Sequence, residues 1–216
     1  EDLIRPASGF SSALDHPEIR THITQVLELS LVLSRAYDQS KPLTVNQKYS
    51  RKDVCRLLNW DKDESSTLYG YKYKYGTCPI FITYHKDDEI EDTIRYEDRF
   101  LDLNTLKWFT RSNRTLQSKE IKAILEGHRE GAPIHIFVKK DDDEGSTFYY
   151  LGKGRIDYQT LEETRMNDGT GKPVVTMNML MENPVDYDLY KYLESGAHMT
   201  LCDNSHLCRY TQRPLP

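Results

Sequence analysis

The chain has 216 residues, 38% hydrophobic and 11% aromatic, which is enough apolar material for a full core and excludes a disordered polymer. Its net charge of −5 argues against uniform wrapping of nucleic acid; four cysteines with no Cys-x-x-Cys pair argue against a disulfide-stapled secreted scaffold and fit a reducing cytoplasm. The longest apolar stretch, within 23–37, is interrupted by Thr24, Gln25, Glu28, Ser30, Ser34 and Arg35, so no membrane span is expected. A start at Glu1-Asp2, with neither methionine nor leader, suggests a piece of a longer protein.

In chain order, Ile19, Ile23, Val26, Leu27 and Leu31 follow helical spacing, with Asp15 placed to cap and Pro17 in the first turn, where its missing N–H costs nothing. The polar, proline-containing "DQSKPLT" reads as a linker, making 1–44 an N-terminal helical extension. In 49–60, Ser50 and Asp53 have capping-box spacing, predicting a short helix with Val54, Leu57 and Leu58 on one face and Trp60 at its end. "YGYKYKYGTCPIFITYHK" alternates as a hairpin with Gly76 in the turn, placing Tyr69, Tyr71, Tyr73 and Tyr75 on one strand face and Lys72 and Lys74 on the other. Residues 91–110 fit neither period and read as a short strand or extended segment, then loop.

A helix is predicted over 118–127, with Ser118 as N-cap and Gly127 as stop. Residues 133–160 read as a long hairpin around "DDDEG", and Gly152 and Gly154 inside the strand pattern predict a bulge or bend that curls the sheet. A strand over 172–182 and a helix begun at Asn183-Pro184 follow, and 196–216 is a tail. Without βαβ alternation, this order predicts an α+β fold over 45–195: a curled, barrel-like antiparallel sheet flanked by helices.

Signatures of catalysis are mostly missing. "MNDGTGKP" has Met166 where a phosphate-cradling loop needs its first glycine and Pro173 where it needs a hydroxyl, so it reads as a turn. Glu97, Asp98 and Glu120, candidates for a metal-dependent nuclease, have an uninformative spacing, and no nucleophile pairs with His85, His128 or His135 in sequence. His198, Cys202, His206 and Cys208 are ligand types that zinc prefers, but their spacing is not that of paired knuckles, and the preceding "GAHM" resembles a cloning remnant. No catalytic residue, metal or cofactor is assigned.

Charge is segregated: acid collects at 87–92 and 141–144, and base at 48–52, 71–74 and Arg111 with Arg114. In "KWFTRSNRT", arginine forks suit phosphate, Ser112, Asn113 and Thr115 add hydrogen bonds, and the start of the next helix favours an anion, which makes a candidate phosphate clamp. Trp108 is a candidate base-stacking ring, although a single tryptophan is more often core. Lys72 and Lys74 are either a second nucleic-acid contact or the solvated side of a tyrosine-lined strand.

The ordered series "YSRKDVCRLLNW", "CPIFITYHK", "YEDRF", "WFTRSNRT", "SKE", "IHIFVKKDDDEG", "FYYLGKG" and "ENPVDYDLYKYL" resembles the uncharacterised domain at the C-terminus of bacterial DEAD/DEAH-box helicase proteins, often behind a phospholipase-D-like nuclease. That resemblance implies a cytoplasmic, helicase-associated module of restriction-modification-like defence proteins, with the helicase and nuclease domains of its parent as partners. "FYYLGKG" and the strands after it are also similar to the SRA-like and other PUA-like domains that read modified DNA in restriction enzymes. This second resemblance implies a non-catalytic DNA-binding domain with Arg111 and Arg114 on phosphates and an aromatic pocket near Trp108, Tyr84 or Tyr149. The alternative is a protein-interaction domain that docks the helicase to its nuclease or a partner through the acidic runs and the 16–37 helix. The reader model requires the two arginines to lie together on an accessible positive surface, free of internal carboxylates.

Overall fold

In the computed structural model, which describes residues 7–85, 98–166 and 171–195, the chain divides into two units, 1–41 and 42–216. The acidic run 87–92, Glu97 and the tail cluster His198, Cys202, His206 and Cys208 lie outside the described residues. The first unit holds α1 (Ser8–Ala13) and α2 (Pro17–Ser34). Pro17 opens α2 as its fixed φ favours, but the N-cap is His16 rather than Asp15, and no side chain caps the helix.

The second unit is built on seven strands: β1 (Lys48–Ser50), β2 (Cys78–Thr83), β3 (Arg99–Asp102), β4 (Thr105–Phe109), β5 (Ile134–Lys139), β6 (Thr147–Arg165) and β7 (Pro173–Met181). Their order is β2-β5-β6-β7-β4-β3, with β1 beside β6, so the sheet stays open and its path ends at β2 and β3. All pairings are antiparallel except that of β2 with β5. With α3 (Arg51–Leu57), α4 (Lys119–Arg129) and α5 (Tyr187–Glu194), the fold is α+β.

The sheet curls along β6. Against β5 its register shifts between Ile136 and Phe137, and Gly152 sits there at φ 103, a conformation open to glycine without steric cost. Against β7 it shifts again between Asp157 and Glu162. The bulge expected from the glycines is at Gly152, whereas at Gly154 a Cβ would press on Ile136 at 3.2 Å.

Two apolar clusters flank the sheet. One joins Ile80, Ile134, Ile136, Leu106, Trp108, Ile156 and Met179 to Ile121 and Ile124 of α4. The other joins Phe81, Phe137, Phe148 and Tyr150 to Val54 and Cys55 of α3 and to Trp60. The Ser50–Asp53 capping box forms, but the second cluster turns Cys55 inward and leaves Leu57 38% exposed, contrary to the predicted face. That cluster takes no residue from β3, β4 or β7, so it covers only the β2-β5 end of its side of the sheet.

Other local expectations yield to packing. Tyr75 and Gly76 both take positive φ in a tight Lys74–Thr77 turn, yet 69–75 forms only isolated bridges, and Tyr71 is buried while Tyr69 is exposed. Gly127 does not stop α4. It lies inside the helix because the ring of Tyr73 occupies the place a Cβ would take, and the chain turns at Gly131 instead, at φ 95. α5 starts after Asp186, whose carboxylate accepts the N–H groups of Asp188 and Leu189, and not at Asn183-Pro184.

Candidate nucleic-acid interface

The loop after β4 is tied to β7 by Thr110 N–H to Val175 O at 2.9 Å and Arg114 N–H to Pro173 O at 3.1 Å, with Asn113 at φ 60 making the turn. It brings Arg111 and Arg114 together, as the sequence suggested, but onto an internal carboxylate. Arg111 Nη2 pairs with Glu120 Oε1, and Arg114 Nε lies 2.7 Å from Oε2 of the same side chain. The Arg111 guanidinium also lies 4.5 Å from the Tyr71 ring centre. Burial opposes its charge, yet the bonds to Glu120 and Tyr71 outweigh this and hold it above the ordinary guanidinium range. The expected open clamp is therefore corrected: the guanidiniums already hold an acid. Ser118 does not cap α4 with its side chain; its hydroxyl accepts the Thr115 N–H at 3.0 Å.

The aromatic pocket is corrected likewise. β4 turns Leu106 and Trp108 inward, and Trp108, 2% exposed, meets the Tyr71 ring edge-on at 4.9 Å. Tyr84 is buried, donates its hydroxyl to Glu194 and accepts the Phe100 N–H at 3.3 Å. Tyr149 lies under Lys48 Nζ, 4.4 Å from the ring centre, and against the edge of Tyr192. All three rings belong to or pack on the first apolar cluster. Lys72 and Lys74 both pair with Glu64, and Lys72 first, then Lys74, holds that carboxyl below its usual range.

A different set of cations stands open. Strand register aligns Arg99, Lys107, Asn178 and Asp157 in one row across β3, β4, β7 and β6, and Thr105, Leu180 and Arg155 in the next. Residues directly opposite share a face, and Lys153 precedes Arg155 by two, so Arg99, Lys107, Lys153 and Arg155 project from the same side. The intervening residues Phe100, Leu106, Met179 and Ile156 fill the core behind them. Arg99, Lys153 and Arg155 are exposed and Lys107 is half-buried; none of the four has a carboxylate partner among the described residues. Of the acids on this surface, Asp102 accepts the Asn104 N–H at 2.7 Å and Asp157 the Gln159 N–H at 3.1 Å, while the exposed Glu162, opposite Thr176, and Glu182, whose N–H donates to Lys153 O at 2.8 Å, form no ion pair with the four cations among the described residues.

Sequence reasoning missed this face because Arg99 and Arg155 are 56 positions apart (155 − 99) and become neighbours only through register. The available signal was alternation: Lys107 between Leu106 and Trp108, and Lys153 and Arg155 on either side of Gly154.

Among the described residues, no three of His, Cys, Asp and Glu are grouped to hold a metal ion, and no helix is long and apolar enough to cross a membrane. The family model for a domain of unknown function, DUF3427, matches residues 43–193. No curated protein matches. Among solved structures, the chain is similar to the SRA domain of SUVH5 in a complex with hemi-methylated CG DNA, with 12% identity, 67% of this chain and 91% of that one covered, and a TM-score of 0.45. It is also similar to Arabidopsis thaliana SUVH6 in complex with SAM, at 13% identity, 72% and 30% coverage and TM-score 0.45. A third similarity is to the DNA modification-dependent restriction endonuclease AspBHI, at 12% identity, 80% and 93% coverage and TM-score 0.44.

Proposed function

The chain belongs to the DUF3427 family through residues 43–193, and we propose that this body is a non-catalytic DNA-binding module whose backbone contacts are made by Arg99, Lys107, Lys153 and Arg155. The observation that carries the proposal is that these four cations on one side of a sheet have no carboxylate partner among the described residues, in a chain of net charge −5. An unpaired lysine or arginine releases counterions when a phosphate replaces its solvent, whereas one already held by an acid must first give up that partner. Asn178, in the same row as Arg99 and Lys107, adds an amide that can meet a base edge or a phosphate oxygen. We extend the proposal to a DNA partner bearing a modified base, and to a parent chain that couples this module to a helicase and a nuclease in restriction-like defence in the cytoplasm.

Fluorescence anisotropy with a short labelled duplex tests it. Four phosphate contacts predict a log–log salt slope of roughly −3.6, which weakens binding about 150-fold between 50 and 200 mM salt. The double variant Arg99→Ala/Arg155→Ala should make the slope shallower by about two. A chain without a salt-sensitive complex would not be a DNA-binding module. Running the titration with hemimethylated and unmethylated duplexes separates a modification reader, which prefers the former, from a backbone binder, which does not distinguish them.

One observation favours a second reading, a protein-docking role. α2 buries none of its residues, and Val26, Leu27, Leu29, Leu31 and Leu33 are each more than half exposed. A helix that is apolar on most sides calls for a protein neighbour. Retention of a parent fragment by the chain, together with no DNA complex, would select this role.

A further inference from the structure

Tyr69 is the most exposed large hydrophobic side chain among the described residues, at 69%. Its backbone is fixed on both sides. Leu68 and Tyr71 are buried, Tyr71 N–H donates to Tyr69 O at 2.8 Å, Phe81 N–H donates to Gly70 O at 2.6 Å, and Gly70 takes a φ of 70 that favours glycine. An aromatic ring held outward on such an anchored turn loses little conformational freedom when a flat partner covers it.

Phe81, whose N–H anchors this turn, also has an arginine packed over its ring, close enough to Tyr69 for the phenol to act on its charge. Arg51, the first residue of α3, lies with its guanidinium carbon 5.5 Å from the Phe81 ring centre and 4.9 Å from that of Phe148. It forms no ion pair among the described residues, and its Nε is buried without an acceptor. The nearby acid Asp142 is engaged elsewhere, 2.7 Å from Lys139 Nζ. Ring contacts position a guanidinium but supply no acceptor oxygen, and a buried donor left unpaired is rare in a finished structure.

We propose that Arg51 and Tyr69 form a nucleotide-contacting site, in which the guanidinium takes a phosphate oxygen and the tyrosine ring stacks on an unpaired base of the DNA. The site rests on the DNA-binding reading and adds to it a base contact distinct from the sheet-face cations. Unpaired DNA is the substrate class because a side-chain ring covers a base only where that base's face is free of its neighbours in the duplex.

The test is a titration of the full chain into single-stranded DNA that carries one 2-aminopurine, whose fluorescence reports stacking. Wild type and Tyr69→Phe should change the signal on binding. Tyr69→Ala should abolish the change and weaken binding roughly 5- to 150-fold, the range for one base–aromatic stack. Arg51→Gln should make the salt slope shallower by about one. The proposal is overturned by a DNA complex that leaves the 2-aminopurine signal unchanged, or by Tyr69→Ala binding as wild type does. In either case a salt-sensitive duplex complex lost in Arg99→Ala/Arg155→Ala would leave the parent reading standing, whereas the absence of every DNA complex overturns both.

Discussion

Two sets of cations in this domain have opposite fates. Lys72 and Lys74 share Glu64, and Arg111 and Arg114 share Glu120. Arg99, Lys107, Lys153 and Arg155 meet no carboxylate among the described residues. The first set is conspicuous in sequence because its members are close together, and for the same reason one nearby acid reaches both. The second is assembled from three strands on which Asp102 and Asp157 are engaged by local turns and no acid pairs with the cations among the described residues, so its charge stays open to solvent. A run of basic residues in a sequence is thus weaker evidence for a positive surface than alternating cations on strands that register later brings together.

The largest expected effect breaks the comparison for the rings, which divide as the cations do. Trp108→Ala should destabilise the domain by about 3–5 kcal/mol, the usual loss for a buried large aromatic. Tyr69→Ala, at an exposed position, should change stability by no more than about 0.5 kcal/mol. Denaturant unfolding of both variants measures this, and a Trp108→Ala domain of wild-type stability would mean the indole is not core. The next effect concerns the open face. Arg99→Glu/Lys107→Glu/Arg155→Glu should weaken duplex binding by roughly 100-fold or more at low salt, against about threefold or less for Lys72→Ala/Lys74→Ala. Equal losses would erase the distinction between paired and unpaired cations.

A third effect separates fold from binding by pH. His135 is buried beside the Tyr150 hydroxyl at 2.9 Å, and burial, with Lys153 adding to it, pushes the ring down to about 4. Between the ordinary histidine value and 4 the unfolded chain binds a proton that the folded chain refuses, so stability is lost as pH falls through that window. From pH 7 to pH 5 the loss should be about 2 kcal/mol, or roughly 4–8 °C in Tm, and His135→Gln should flatten it. The proposed phosphate contacts do not use His135, so duplex affinity of the still-folded protein should change far less than its stability. A pH-independent Tm would contradict the buried neutral histidine.

Much of the fold was legible because its signals are local. The Ser50–Asp53 box spans four residues, and the bulge at Gly152 needs a glycine in a strand pattern. Gly127 misled because its meaning is tertiary: it makes room for Tyr73, more than fifty positions earlier, and the helix runs on. The β3-β4 hairpin was blurred because β3 has only four residues, one of them buried, too few to show a period of two. The site was less legible than the fold. Arg111 and Arg114 do meet, but nothing in "WFTRSNRT" reveals that the following helix returns Glu120 to them.

The smallest expected effect bears on that pair. Arg111, Arg114 and Glu120 are each a quarter to about a third exposed, so solvent screens the pairs and their loss should cost about 1 kcal/mol or less. If the arginines face away from the DNA, Glu120→Gln alters only the net charge: affinity should rise a few-fold at low salt and the salt slope should stay as it was. If phosphate replaces the Glu120 carboxylate on the guanidiniums, two further contacts form and the slope should steepen by about two. The present geometry, with both forks already holding an acid, predicts the unchanged slope. A steeper one would place Arg111 and Arg114 on the DNA surface and make Glu120 a competitor that the nucleic acid displaces.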